Sequence, residues 1–109
     1  MTDKVRKYLV DILESAESIE KYIENIDFFQ YQKNKMIRRA VEREFEIIGE
    51  ATKVLLKLDE EIKLSSAERI IGMRNRVIHG YDKIDDGIVW GTIKNHLPVL
   101  KNEVKELLK

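Results

Sequence analysis

The sequence predicts an all-α fold, an antiparallel up-and-down bundle of four to five helices with the last helix kinked or broken at Pro98. Three observations carry that expectation. Apolar residues recur every three or four positions over several long stretches, as on the buried stripe of an amphipathic helix. Punctuation is sparse, with one proline and five glycines in 109 residues, so long helices can run uninterrupted. A 37% charged share beside a 43% apolar share supplies solvated outer faces for those stripes. One core is the capacity of such a length, so residues 1–109 are read as a single domain.

Thr2 can cap a first helix running to about Ile26, in which Val5, Leu9, Ile12, Ala16, Ile19, Ile23 and Ile26 form an unbroken narrow seam. Nothing along it suggests chemistry, and it is read as scaffold. Residues 27–34 form a short aromatic connection, with Phe28 and Phe29 expected to plug the end of the bundle. Base stacking by Tyr31 is the alternative use of these rings. A second long helix is expected from Lys35 to Leu58, lined by Ile37, Val41, Phe45, Ile48, Ala51, Leu55 and Leu58. Gly49 inside it costs about 1 kcal/mol against alanine, which points to close approach by another backbone. Arg43 and Glu50 sit together at the edge of that apolar face, and Glu50 is a candidate partner for an arginine of the next helix or of a second subunit.

The third helix begins at Ser65, with Glu68 completing a capping box, and ends at Gly80 as a left-handed cap. Asp85 can cap the last helix, whose seam of Trp90, Ile93, Leu97, Leu100, Val104 and Leu107 keeps phase across Pro98. That continuity favours one kinked helix over two separate ones.

Composition excludes several function classes. With no cysteine there is no disulfide frame, zinc–thiolate site or thiol nucleophile. The two histidines stand seventeen residues apart without spaced partners, so no metal site is expected. No glycine-rich phosphate loop or nucleotide-binding fingerprint occurs, and no cofactor is expected. No apolar run approaches a membrane span of about 20 residues, and the charged first residues lack a signal-peptide core. A cytoplasmic protein without membrane contact is the expectation. The formal net charge of zero argues against a phosphate-tracking DNA module, although Arg38, Arg39, Arg43, Arg69, Arg74 and Arg76 cluster in mid-chain.

Residues 70–82 concentrate the usable chemistry. At about 100° per residue, Ile70, Met73, Val77, Ile78 and Ile71 share one arc with Arg74 at its centre. A buried, unpaired guanidinium costs several kcal/mol, so Arg74 needs a carboxylate, a phosphate or interfacial water. The arc itself suits a dimer interface. Asn75 and His79, four apart, share a neighbouring face.

Arginine and histidine together can cleave RNA without metal. The ribose 2′-hydroxyl is the internal nucleophile, histidine moves protons near neutral pH, and arginine stabilises the phosphorane. The other reading is structural: a histidine favoured by the helix dipole and an arginine paired with Glu50. One obstacle faces the catalytic reading, because on an ideal helix Arg74 and His79 point about 140° apart. Loosening of the last turn, a reach-round by Arg74, or a partner chain would each resolve it.

The segment from Arg74 to Tyr81, Arg-Asn-Arg-Val-Ile-His-Gly-Tyr, resembles the Arg-x4-His-x-Tyr signature of HEPN-domain toxins of the HepT type. Ala40-Val41-Glu42-Arg43 with Ile47-Ile48-Gly49-Glu50-Ala51 resembles the family's second-helix pattern, and Asp85 to Trp90 with Leu97-Pro98 its last helix. The resemblance implies a HEPN-like bundle and a homodimeric, metal-independent endoribonuclease toxin of a type VII-like toxin–antitoxin pair. Arg74 and His79 would be catalytic, and Asn75 would position the phosphate or His79. Arg76, outside the core signature, is read as a secondary RNA contact, with Glu50 and Arg43 as further supporting residues. The implied partners are RNA and a minimal (MNT-type) nucleotidyltransferase antitoxin, with which the dimer could assemble further. That antitoxin would inactivate the toxin by AMPylation of Tyr81, whose other reading is a ring folded back over the helix end. The alternative function is a non-catalytic substrate-binding or regulatory subunit of a nucleotidyltransferase.

Overall fold

The computed structural model describes residues 1–80 and 84–109. Among these it contains six α-helices and no strand: α1 (Asp3–Tyr22), α2 (Phe28–Lys33), α3 (Lys35–Leu58), α4 (Ala67–His79), α5 (Asp86–Asn95) and α6 (Leu97–Leu108). The all-helical bundle expected from the seams is therefore present. No helix among the described residues is long and apolar enough to cross a membrane.

The central element is α3, with α1 on one side and α4 on the other, while α6 packs on α1 and α5 contacts α2, α4 and α6. Tyr22, the last residue of α1, donates to Glu44 in the first half of α3 at 2.7 Å. Tyr8, near the start of α1, lies instead with Glu50 and Ala51 further along α3. The two helices therefore run antiparallel. Leu9, Ile12 and Ile19 of α1, Val41, Phe45, Ile48 and Leu55 of α3, Ile70 and Met73 of α4, and Leu97, Leu100 and Val104 of α6 form the shared core.

Several boundaries follow the sequence reading. Thr2 Oγ1 accepts from Val5 N at 3.1 Å, Asp85 Oδ1 accepts from Ile88 N at 3.1 Å, and α3 begins and ends where its stripe does. Others do not. α1 stops at Tyr22 instead of Ile26 because Asn25 adopts φ 63°, a left-handed conformation that asparagine tolerates better than most residues. The chain then enters α2 through a capping box: Asp27 Oδ1 accepts from Gln30 N at 2.8 Å and Gln30 Oε1 from Asp27 N at 2.9 Å.

The box expected at Ser65 and Glu68 does not form. The N-cap position of α4 falls one residue later, at Ser66, whose side chain makes no capping bond, and this takes Glu68 out of register. Ser65 instead donates its N–H and its hydroxyl to Glu103 of α6, each at 3.1 Å. Gly80 is not left-handed either, with φ −116°. Its requirement is steric, since a Cβ there would lie 2.7 Å from the Arg76 carbonyl oxygen.

The last helix is divided at His96, so the kink gives way to two helices. Pro98, which has no N–H to donate, sits in the first turn of α6 where that loss is harmless. The seam still keeps phase, because His96 retains a right-handed helical conformation. The half-buried His96 accords with its position at the break.

In the aromatic connection, Tyr31 rather than Phe29 plugs the bundle. Tyr31 is fully buried with its ring centroid 5.3 Å from that of Trp90, whereas Phe29 is 61% exposed beneath the Lys33 ammonium. Phe28 does pack against the core as expected, its ring centroid 6.0 Å from that of Trp90. Full burial removes base stacking as a use for Tyr31. Its hydroxyl has no partner among the described residues, and burial, reinforced by the Glu42 and Asp86 carboxylates, pushes its pKa well above the ordinary tyrosine value. Tyr31→Phe is therefore expected to raise stability by about 1 kcal/mol at neutral pH, since an unsatisfied buried hydroxyl costs about that much. A raised folded-state pKa means the stability tied to the neutral phenol is complete below about pH 10 and lost as pH rises further. The wild type should thus lose thermal stability in alkali faster than the variant. Equal stability at both pH values would contradict this account.

Candidate functional site

The site is assembled where α4 leans on α3. Gly49 allows the approach: a Cβ there would overlap Arg74 Cβ and lie 2.8 Å from its Cγ. The close contact expected at this glycine is therefore present, although the stem of the Arg74 side chain, and not another backbone, fills the space. Beyond the stem, Nη2 pairs with Glu50 Oε2 at 2.9 Å and Nη1 donates to Asn75 Oδ1 at 3.1 Å. The Nε is buried without a partner among the described residues.

Arg74 does not stand at the centre of an uncovered apolar arc. Ile70, Met73 and Val77 are buried within the chain, and only Ile78, 38% exposed, and half-buried Ile71 remain uncovered beside it. The dimer surface expected from the whole arc is correspondingly reduced. The ion pair with Glu50 that sequence offered as the structural reading is realised. It is not a dry pair, because the Arg74 side chain is 23% exposed and that of Glu50 52%. Such a half-solvated pair contributes at most about 1 kcal/mol, so an incoming phosphate can share the guanidinium.

Arg74 lines an open cleft of about 340 Å³ between α1, α3 and α4. Arg43, Glu46 and Glu50 stand along its α3 side, with Arg43 paired to Glu46 at 3.0 Å. The α1 side carries Tyr8 and Asp11. These two escaped the sequence reading, which treated α1 as scaffold. Their only signal is an aromatic ring and a carboxylate three residues apart, flanking the Leu9–Ile12 seam on one side. Asp11 Oδ2 accepts from Lys7 Nζ at 2.7 Å, and this bond holds the lysine pKa above its usual value. A wider depression of about 810 Å³ along α1 is lined mainly by Glu14, Glu17, Glu20 and Glu24. Its carboxylates would repel a phosphate, and it is remote from the chemistry of residues 74–79.

Asn75, Arg76 and His79 are all exposed. His79 is not among the residues lining the Arg74 cleft. The last turn of α4 stays α-helical through the Gly80 N–H to Arg76 carbonyl bond at 2.8 Å, so it does not loosen. Arg74 is held toward α3 by Glu50, so it does not reach round either. Within the chain, therefore, Arg74 and His79 are not brought to one cleft. Tyr81 lies outside the described residues.

A family model described as "Ribonuclease HepT-like" matches residues 12–107. A protein of Methanocaldococcus jannaschii that carries an RNase name is 38% identical over 102 residues, covering 93% of this chain and 94% of that protein. A Caldanaerobacter subterraneus subsp. tengcongensis protein, also with an RNase name, is 37% identical over 105 residues, 95% of this chain and 94% of its own. A Thermococcus cleftensis protein named as a ribonuclease of HepT type is 36% identical over 108 residues, 95% of this chain and 96% of its own. No solved structure gives a significant match.

Proposed function

Because this chain belongs to the HepT-like ribonuclease family, we propose that it is a metal-independent RNA endonuclease and the toxin of a type VII-like toxin–antitoxin pair, acting as a homodimer in the cytoplasm. The observation that carries the reading is Arg74, held by Glu50 and Asn75 at an open cleft with His79 exposed at the end of the same helix. An arginine oriented on two sides by acceptors is preorganised positive charge, the feature most useful to a reaction that builds charge on a phosphate.

The chemistry balances without an added reagent. A histidine takes the proton of the ribose 2′-hydroxyl, whose oxygen forms a bond to the adjacent phosphorus. The bond from phosphorus to the 5′-oxygen breaks, and a second, protonated histidine gives that oxygen its proton. The products are a 2′,3′-cyclic phosphate and a 5′-hydroxyl. Two His79 side chains, one from each subunit, supply base and acid, and Arg74 faces the phosphorane. Uncovered Ile78 and Ile71 beside Arg74 support a second copy docking along α4. The assay is cleavage of single-stranded RNA by the purified protein in EDTA, with product ends identified by mass. Cyclic-phosphate ends are expected; no cleavage, or cleavage restored only by a divalent ion, would overturn the reading.

Regulation would pass through Tyr81. A minimal nucleotidyltransferase would join the Tyr81 oxygen to the α-phosphorus of ATP, releasing pyrophosphate and leaving an AMP group two residues beyond His79. A phosphate so placed competes with RNA for the arginine charge. Tyr81→Phe is expected to gain no AMP mass when incubated with that enzyme and MgATP, while the wild type gains it. Modification of the variant would remove Tyr81 as acceptor.

The realised Arg74–Glu50 pair favours one other reading, a helical protein in which this pair is only structural, serving alone or as a non-catalytic subunit of a nucleotidyltransferase. The same cleavage assay separates them, since only the nuclease leaves cyclic-phosphate ends.

A further inference from the structure

The α1–α3–α4 cleft beside Arg74 holds three carboxylates, each bound to a cation through one oxygen only. Asp11 uses Oδ2 for Lys7, Glu46 uses Oε2 for Arg43, and Glu50 uses Oε2 for Arg74. Among the described residues no protein donor reaches the second oxygen of any of them. The half-buried Tyr8 ring lines the same cleft with the Lys7 ammonium 4.7 Å from its centroid, and its hydroxyl is likewise unbonded among the described residues. The rest of the wall is apolar, from Ile47, Ala51 and Ile78, the last at the edge toward the exposed face of α4.

This combination suits a nucleobase and not a stretch of backbone. A phosphate-tracking groove needs excess positive charge, whereas here Asp11, Glu46 and Glu50 offset Arg43, Arg74 and Lys7. An aromatic ring among apolar side chains offers a stacking surface, and free carboxylate oxygens accept hydrogen bonds from base N–H groups. A cleft of about 340 Å³ lies at the lower end of small-ligand sites, about 300–1,000 Å³, and suits one nucleotide.

We propose that this cleft is a base-reading subsite for the nucleotide flanking the phosphate held by Arg74. Tyr8 stacks on the base, and Asp11 with Glu50 accepts from its donor edge. Guanine, whose N1–H and amino group present adjacent donors, is the preferred base, and uracil, with one N–H between two carbonyls, the least favoured. The proposal rests on the ribonuclease reading for its link to RNA, but binding tests it without cleavage.

The experiment is NMR titration of the protein with 3′-GMP and 3′-UMP in EDTA. 3′-GMP should bind about tenfold more tightly than 3′-UMP. Tyr8→Ala should weaken 3′-GMP about tenfold or more, in line with loss of one base–aromatic stack, and Tyr8→Phe should restore it. Asp11→Asn, a surface change that replaces an acceptor-only group by an amide, should erase the guanine preference even if Tyr8→Ala proves poorly folded. Equal binding of the two nucleotides, no binding, or 3′-GMP affinity unaltered in Asp11→Asn would overturn the subsite. If guanine binds through Tyr8 and Asp11 but RNA is never cut, the subsite stands and the nuclease reading falls. If RNA is cut by Asp11→Asn with unchanged KM and base preference, the nuclease reading stands and the subsite falls.

Discussion

Replacing His79 by alanine is expected to abolish RNA cleavage while leaving the fold intact. The side chain is exposed in the last turn of α4, and no hydrogen bond or ion pair holds it among the described residues. Surface substitutions of this kind usually change stability by less than about 0.5 kcal/mol, so the melting temperature and the oligomeric state should be those of the wild type. A single general acid or base contributes about 10²–10⁴-fold. In a two-fold dimer the substitution removes both the acid and the base, and the loss should reach about 10⁴-fold or more. A variant that melts normally and cleaves RNA at the wild-type rate would end the mechanism proposed for His79, whatever the status of Arg74.

Gly49→Ala should have the largest effect on the folded state. In an unobstructed helix this change stabilises by about 1 kcal/mol. Here the added methyl overlaps Arg74 at its Cβ and Cγ, atoms too close to the α4 backbone to swing aside. α4 must move away from α3, and overpacking of this kind costs about 1–3 kcal/mol. A domain of this size loses roughly 4–8 °C in Tm per kcal/mol. The shift also carries Arg74 off Glu50, so cleavage should fall along with stability. Gly72 and Gly91 provide the contrast, since a Cβ at either meets nothing within 4 Å; alanine there should raise Tm. If Gly49→Ala melted at or above the temperature of Gly72→Ala, the close approach that builds the site would be wrong.

Those two substitutions also mark how far the site is legible in the sequence alone. Gly49 as a point of close approach and Glu50 as a partner for an arginine of the following helix both come from position alone, and both hold in the structure. The helix over Lys35–Leu58 is legible to its ends because Asn34 caps it and its apolar stripe never loses phase. By contrast, the arc around Arg74 reads the same whether a neighbouring helix or a second subunit covers it. A one-dimensional period reports which residues are buried, not what buries them. The same limit hid Tyr8 and Asp11, which look like ordinary flanks of a scaffold seam until α3 and α4 form a cleft beside them.

Caps and breaks divide along similar lines. Thr2 and Asp85 act through hydrogen bonds three residues away, and such bonds are fixed by local sequence. Ser65 is drawn from its local role by Glu103, thirty-eight residues on, and Gly80 is required by the Arg76 carbonyl rather than by a left-handed turn. The helix content, the seams and the local caps are thus determined by the sequence, because each depends on residues within about two turns. Which carboxylate meets Arg74, which aromatic plugs the bundle, and which face of α1 joins the cleft were decided only by the tertiary structure. Each of these depends on how helices distant in sequence settle against one another.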